Sequence, residues 1–269
     1  REAFLIMPSI RTSDGIEIDY ELMGDPSKPV LMFSNSLGTT RSMWDKQAEA
    51  FSEKFHILRY DTRGHGQSDA PNASYVLGRL GEDVVELLDT LNFQSVHFCG
   101  LSLGGMTGMW LGIHAADRLR SLALCCTSSY LPPPDMWDAR IQQVLDQGMA
   151  SISDLVLSRW FTPSFLEITS PASDAVRGEL LSTSTVGYVG CCAAIRDMDL
   201  RPELAKIKKS CLVIAGQDDQ ATPPEHGKFI AAGIPGSRYV EIENAAHLSN
   251  IEQEDAFNSN VSNFLIQLA

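Results

Sequence analysis

Ten consecutive residues, Val96-His97-Phe98-Cys99-Gly100-Leu101-Ser102-Leu103-Gly104-Gly105, restrict the fold more than any other stretch of this chain. An apolar run that reads as a buried strand stops at Gly100, a turn of small residues follows, and a helical pattern begins at Leu103. Gly100-Leu101-Ser102-Leu103-Gly104 matches G-x-S-x-G, the sharp strand-to-helix turn that lifts a serine hydroxyl clear of the backbone. So tight a turn brings neighbouring backbones together where a Cβ would clash, and glycine has none. The same pentapeptide can arise by accident in a turn, where Gly and Ser are common. The strand before it and the helix after it give Ser102 the setting of a nucleophile. Such a serine also requires a base, an acid and an oxyanion hole.

The surrounding pattern predicts where those could come from. Ile16, Ile18 and Tyr20 alternate with Glu17, Asp19 and Glu21 next to Asp14-Gly15, which predicts a hairpin with one solvated face. Val30-Leu31-Met32-Phe33 is a continuous apolar run, as expected of a strand covered on both sides. Phe55–Tyr60 ends at the polar, Gly-rich loop Asp61-Thr62-Arg63-Gly64-His65-Gly66-Gln67-Ser68-Asp69. Leu80, Val84, Leu87, Leu88 and Leu91 follow at helical spacing, and Leu119 to Cys126 is a further apolar strand. Strands alternating with helices imply right-handed crossovers, hence a mostly parallel sheet with helices on both faces. The rhythm breaks at Leu131-Pro132-Pro133-Pro134, and from there to about Leu204 the pattern is helical. Residues 1–130 and 205–269 are therefore expected to form an α/β core, with 131–204 inserted as an all-helical lid.

Composition removes several function classes. Twenty-one Lys and Arg face 34 Asp and Glu, a net charge of −13. That balance argues against nucleic acid, which needs a basic face, and against an anionic membrane surface. It leaves room for a small anionic substrate, because charge is screened over roughly 8 Å and one local arginine can dominate. No apolar run approaches the roughly 18 residues of a membrane span. Phe4-Leu5-Ile6-Met7 before Pro8 is too short for a signal-peptide core, so a cytoplasmic location is expected. The six cysteines lie mostly in apolar runs, two pairs of them adjacent, which suits packed thiols better than a disulfide framework. No cysteine–histidine cluster suggests a metal, and no cofactor is expected.

A serine hydroxyl needs an adjacent base. Of six histidines, His56 and His97 open strands and His114 closes a helix, all structural positions; His226 reads as a surface residue and His65 as part of its loop. His247 stands apart, in the small-residue loop Asn244-Ala245-Ala246-His247-Leu248-Ser249 between the last strand and the last helix. Open α/β sheets place their sites at such strand ends. The acid that orients the imidazole has two adjacent candidates after the strand Cys211–Ala215, Asp218 and Asp219, with Asp61 as rival at another strand end. The order Ser102, Asp219, His247 is serine, acid, histidine. The oxyanion hole needs two backbone N–H groups: one from Leu103, after the nucleophile, and one from the loop after the Val30 strand, assigned to Leu37.

With these residues placed, the chain resembles the α/β-hydrolases over essentially its whole length. Gly100 to Gly105, Asp61 to Ser68, Gly216-Gln217-Asp218-Asp219 and Ala246-His247 carry the resemblance. The family's G-x-x-D turn selects Asp219 over Asp218. Where the family commonly has His-Gly before the oxyanion residue, this chain has Asn35-Ser36. That departure, with Met43-Trp44, Arg159-Trp160-Phe161-Thr162-Pro163 and Ile195 to Arg201, is similar to the 3-oxoadipate enol-lactonases. The resemblance implies opening of an enol-lactone ring in aromatic catabolism, on a small anionic lactone. Its side-chain carboxylate would be met under the lid by Arg196 or Arg159, with Trp137 and Trp160 lining the pocket. General esterases, perhydrolases and carbon–carbon bond hydrolases share the scaffold, and a ligand receptor of this fold is the alternative outside enzymes.

Overall fold

The computed structural model describes residues 8–168 and 171–268. The Phe4-to-Met7 run lies outside them. The apolar runs become the strands of one eight-stranded sheet: β1 (Ser9–Arg11), β2 (Glu17–Met23), β3 (Val30–Ser34), β4 (His56–Tyr60), β5 (Val96–Leu101), β6 (Leu119–Cys125), β7 (Cys211–Gly216) and β8 (Arg238–Ile242). Their order across the sheet is β1-β2-β4-β3-β5-β6-β7-β8. The β1–β2 hairpin pairs Ile10 with Ile18, and β2 joins β4 antiparallel; every pairing from β4 to β8 is parallel. β3, β4 and β7 are buried at every residue; β3 and β7 are the apolar runs expected of strands covered on both faces, and β4 carries the buried His56 and Arg59 as well.

The core helices are α1 (Asp45–Phe51), α2 (Leu77–Thr90), α3 (Leu103–His114), α9 (Pro224–Gly233), α10 (Ser249–Glu252) and α11 (Glu254–Ile266). Between β6 and β7 run α4 (Pro134–Gln147), α5 (Ala150–Trp160), α6 (Pro163–Glu167), α7 (Pro171–Ser182) and α8 (Thr185–Asp197). Proline at the first turn starts α4, α6 and α9, where its missing N–H costs nothing. α2 shows how sequence sets packing: Leu77, Leu80, Val84, Leu87 and Leu88 recur at helical spacing and all are buried. α3 is buried along most of its length, so its mean character is apolar on all sides rather than amphipathic.

Two expectations fail locally, for the same reason. The alternating pattern places Asp19 on a solvated strand face, yet it is 4% exposed, because Arg41 pairs with it and with Asp61, the latter at 2.9 Å. His226 is half-buried rather than on the surface, its Nδ1 hydrogen-bonded to Ser128 Oγ at 2.7 Å. In both cases a polar group goes inside because a distant segment supplies its partner.

Candidate active site

The serine turn is built by close backbone approach. Ser102 sits between β5 and α3 with φ 57° and ψ −114°, a left-handed conformation. Holding a non-glycine residue there costs about 1–3 kcal/mol. The turn persists because it is pinned: the Ser102 N–H donates to the Cys125 carbonyl at 2.9 Å, and the Thr127 hydroxyl donates to the Ser102 carbonyl at 2.7 Å. A Cβ on Gly100 would lie 2.2 Å from the Gly104 carbonyl oxygen, and one on Gly104 would lie 2.2 Å from that of Ser34. Both glycines of the motif are thus steric requirements.

Asp219 and His247 come from the ends of β7 and β8 and meet at the same edge. Asp219 Oδ2 lies 2.8 Å from His247 Nδ1, and both side chains are almost fully buried. The carboxylate is held in turn by the amides of Ala221 and Thr222, which donate to Oδ1 at 2.8 and 2.9 Å, and by the Thr222 hydroxyl, which donates to Oδ2 at 2.9 Å. An imidazole so held keeps its Nδ1 proton toward the acid and leaves Nε2 for a substrate proton. Cys126 lies beneath, 3.2 Å from Ser249 Oγ. Burial, and then the nearby Asp219 charge, push its thiol up to about 12, so it stays neutral. The rivals are placed elsewhere: Asp218 is exposed, and Asp61 accepts the Arg41 amide at 2.7 Å and the Gln67 amide at 3.0 Å.

Leu37 follows β3, and Leu103 is the first residue of α3, where an N–H has no partner in its own helix. The peptide joining Ser36 to Leu37 is oriented by Thr39, whose amide and hydroxyl donate to the Ser36 carbonyl at 3.3 and 2.9 Å. Because a peptide is planar and trans, the Leu37 N–H points the opposite way. Among the described residues no backbone acceptor takes it. The Gly104 amide donates to the Asn35 carbonyl at 2.9 Å, tying this loop to the serine turn.

Ser36, Leu37, Ser102 and His247 line one cavity of about 80 Å³. Pockets that hold drug-sized ligands measure roughly 300–1,000 Å³, so this one suits a compact molecule. A larger groove of about 760 Å³, lined by Asp218, Gln220, Pro224 and Lys228, lies behind Asp219 and contains neither Ser102 nor His247. Trp137 and Trp160 of the helical insert wall the small cavity, and so do Arg159 and Arg140. Arg196 is not among the lining residues: its guanidinium is taken by Asp138 at 2.7 Å and by Asp197 at 2.7 and 2.8 Å. It belongs to a surface ion cluster at the end of α8.

Residues 29–152 match a family model described as alpha/beta hydrolase fold, and residues 183–268 match one described as TAP-like protein. The chain is 40% identical over 247 residues to 3-oxoadipate enol-lactonase 2 of Acinetobacter baylyi, covering 92% of each. The crystal structure of the enol-lactonase from Burkholderia xenovorans superposes with a TM-score of 0.94 at 42% identity, over 96% of this chain and 100% of that one. A hydrolase from Pseudomonas aeruginosa gives 0.95 at 46% identity, over 98% and 99%. The chain belongs to the α/β-hydrolase family.

Three site features of this α/β-hydrolase had no sequence signal of their own. Arg140 is one; on α4 it reads as another charged residue of an amphipathic helix, and only the fold turns it toward Ser102. Glu252 is the second. It accepts the Thr162 amide at 3.0 Å, the Thr162 hydroxyl, and the Ala246 amide at 2.8 Å. It thereby joins the insert to the residue before His247. Glu179 of α7 is the third, accepting the Thr40 amide at 3.0 Å and the Ser42 hydroxyl at the far end of the Leu37 loop. A spacing pattern could not have found partners 90 to 139 residues apart. Among the described residues, no cluster of His, Cys, Asp or Glu is placed to hold a metal, and no helix is long and apolar enough to cross a membrane.

Proposed function

We propose that this α/β-hydrolase opens the ring of 3-oxoadipate enol-lactone to 3-oxoadipate, using Ser102, His247 and Asp219. One observation carries the reading beyond the family likeness. The small apolar cavity over Ser102 and His247 holds two half-buried guanidinium groups, Arg140 and Arg159, neither ion-paired to a carboxylate among the described residues. In a chain of net charge −13, cations left facing an apolar cavity favour a compact anionic substrate. The Arg140 guanidinium lies 5.5 Å from the Trp137 ring centre, and both residues line the cavity with the buried Tyr188.

The chemistry follows from the placement. His247 Nε2 takes the Ser102 proton as Oγ adds to the lactone carbonyl, and the Leu37 and Leu103 amides hold the resulting oxyanion. Losing one such donor costs roughly 3–4 kcal/mol of transition-state stabilisation. Collapse breaks the bond from the acyl carbon to the ring oxygen. The leaving enolate takes the imidazolium proton and tautomerises to the ketone. His247 next deprotonates a water, which adds to the acyl-enzyme, and Ser102 leaves with the proton. Because an enolate leaves more readily than an alkoxide, acylation needs little acid assistance.

Loss of the enol-lactone absorbance under wild-type and Ser102→Ala enzyme tests the reading. Turnover by wild type, with a fall of about six decades in Ser102→Ala, is expected. Turnover of simple esters but not of the lactone would overturn the substrate assignment. Activity retained in Ser102→Ala would overturn the mechanism.

A further inference from the structure

The Asp61-to-Ser68 loop carries a motif that the triad does not use, and it lies against the Leu37 loop. His65, 1% exposed, is the contact: the Gly38 N–H donates to His65 Nε2 at 2.8 Å, while His65 Nδ1 lies 3.3 Å from the Arg63 carbonyl. A carbonyl can only accept, so Nδ1 carries the proton and Nε2 is a neutral acceptor. The Gly38 N–H belongs to the peptide that follows Leu37. Thr39 holds the peptide before Leu37, which carries the Leu37 N–H, and His65 holds the one after it, so φ and ψ of Leu37 are set from both sides. The rest of the loop is tied at Asn35 through Gly104, at Thr40 through Glu179 and at Arg41 through Asp61, and the Thr183 hydroxyl donates to the Gly38 carbonyl at 3.4 Å, on the peptide after the one His65 holds.

We propose that His65 is a positioning residue for the oxyanion hole, acting as a neutral hydrogen-bond acceptor that holds the Gly38 peptide and so aims the Leu37 amide. This rests on the assignment of Leu37 to the hole. A protonated His65 would present a donor to a donor, and the peptide would lose its anchor. The groups around the ring are Asp61, already paired with Arg41; the Cys191 thiol, which lies against the Arg63 carbonyl; and Tyr188, beside Gly38. Burial lowers the His65 pKa and pushes the Cys191 thiol well up, so both are neutral at pH 7.

The test uses p-nitrophenyl acetate, whose turnover requires Ser102 and the hole but not a preference for lactones. Wild-type turnover that vanishes in Ser102→Ala secures the parent mechanism before the His65 variants are compared. His65→Leu, which has no acceptor, should lower kcat ten- to a hundredfold at little change in KM. It should weaken a small alkyl boronic acid, which mimics the tetrahedral adduct, by the same factor. His65→Gln, whose Oε1 can accept from Gly38, should restore most of both. Its kcat should also fall less steeply at the acid end of the pH profile, because one of two histidines that must be neutral is gone. Wild-type kcat in His65→Leu would overturn the proposal. So would a kcat loss without parallel loss of boronate affinity, or a folded His65→Gln no better than His65→Leu.

Discussion

The Leu248 N–H donates to the Trp160 carbonyl at 3.0 Å, so the residue after His247 hangs from the end of α5. The residue before His247 is tied to the same place, through Glu252 to Thr162. The proposed base is therefore strung between two ties, one to the end of α5 and one to Thr162 just beyond it.

Glu252→Gln breaks one of these ties without changing side-chain volume. The amide can accept from Thr162 or Ala246 through Oε1, but its NH₂ then faces an N–H. Leaving one buried donor unpaired costs about 1–3 kcal/mol, roughly 2–4 °C in Tm per kcal/mol for a chain near this size. A lowered Tm with a several-fold fall in kcat is expected, by thermal unfolding and steady-state kinetics. An unchanged kcat would show that His247 is held without the insert.

Asp219 and Asp218 are adjacent, yet only Asp219 meets His247. Asp219→Asn should leave the fold intact and lower kcat by about four decades, as a carboxamide imposes the wrong tautomer on the imidazole. Asp218→Asn should leave kcat unchanged, since its side chain is exposed. Comparable losses in both would move the acid elsewhere.

Arg140→Met and Arg159→Met each remove a cation from the cavity, whereas Arg196→Met removes one from the surface. A charge-assisted hydrogen bond contributes about 1.5–3 kcal/mol, so KM for the lactone should rise roughly ten- to a hundredfold for the arginine that binds its carboxylate. Arg196→Met should leave it unchanged. A neutral ester should register far less of the change in every case, and equal losses on both substrates would mean damage to the pocket itself.

His97 makes stability pH-dependent in a known direction. Burial, then the neighbouring Arg120 charge, lower its pKa to about 4. Between roughly pH 6.5, where an unfolded histidine titrates, and pH 4, the unfolded chain binds a proton that the folded chain does not. Stability therefore falls as pH drops through that window. Denaturant titrations at pH 7, 5.5 and 4.5 should show this fall, and His97→Gln should make it shallower. Equal slopes in variant and wild type would assign the proton uptake to another group.

The sequence by itself determined the α/β fold with its mostly parallel sheet. Val30–Phe33 and Cys211–Ala215 are short, uninterrupted apolar runs bounded by turn residues, the pattern of strands covered on both faces. Gly100 and Gly104 forced a turn that only a residue held in strain can occupy. What the sequence could not settle was which charged groups face which: it put Asp19 on the solvated face, chose between Asp218 and Asp219 only through the family resemblance, and named Arg196 and Arg159 for the cavity but not Arg140. Charged side chains carry no periodic signal, because their burial depends on a partner that can come from anywhere in the chain. Local pattern decides where the backbone goes. Only the tertiary structure decides that Arg41 is near enough to bury Asp19, that Asp138 and Asp197 hold Arg196 away from the cavity, and that His65, from a loop with no triad residue, reaches the amide beside Leu37.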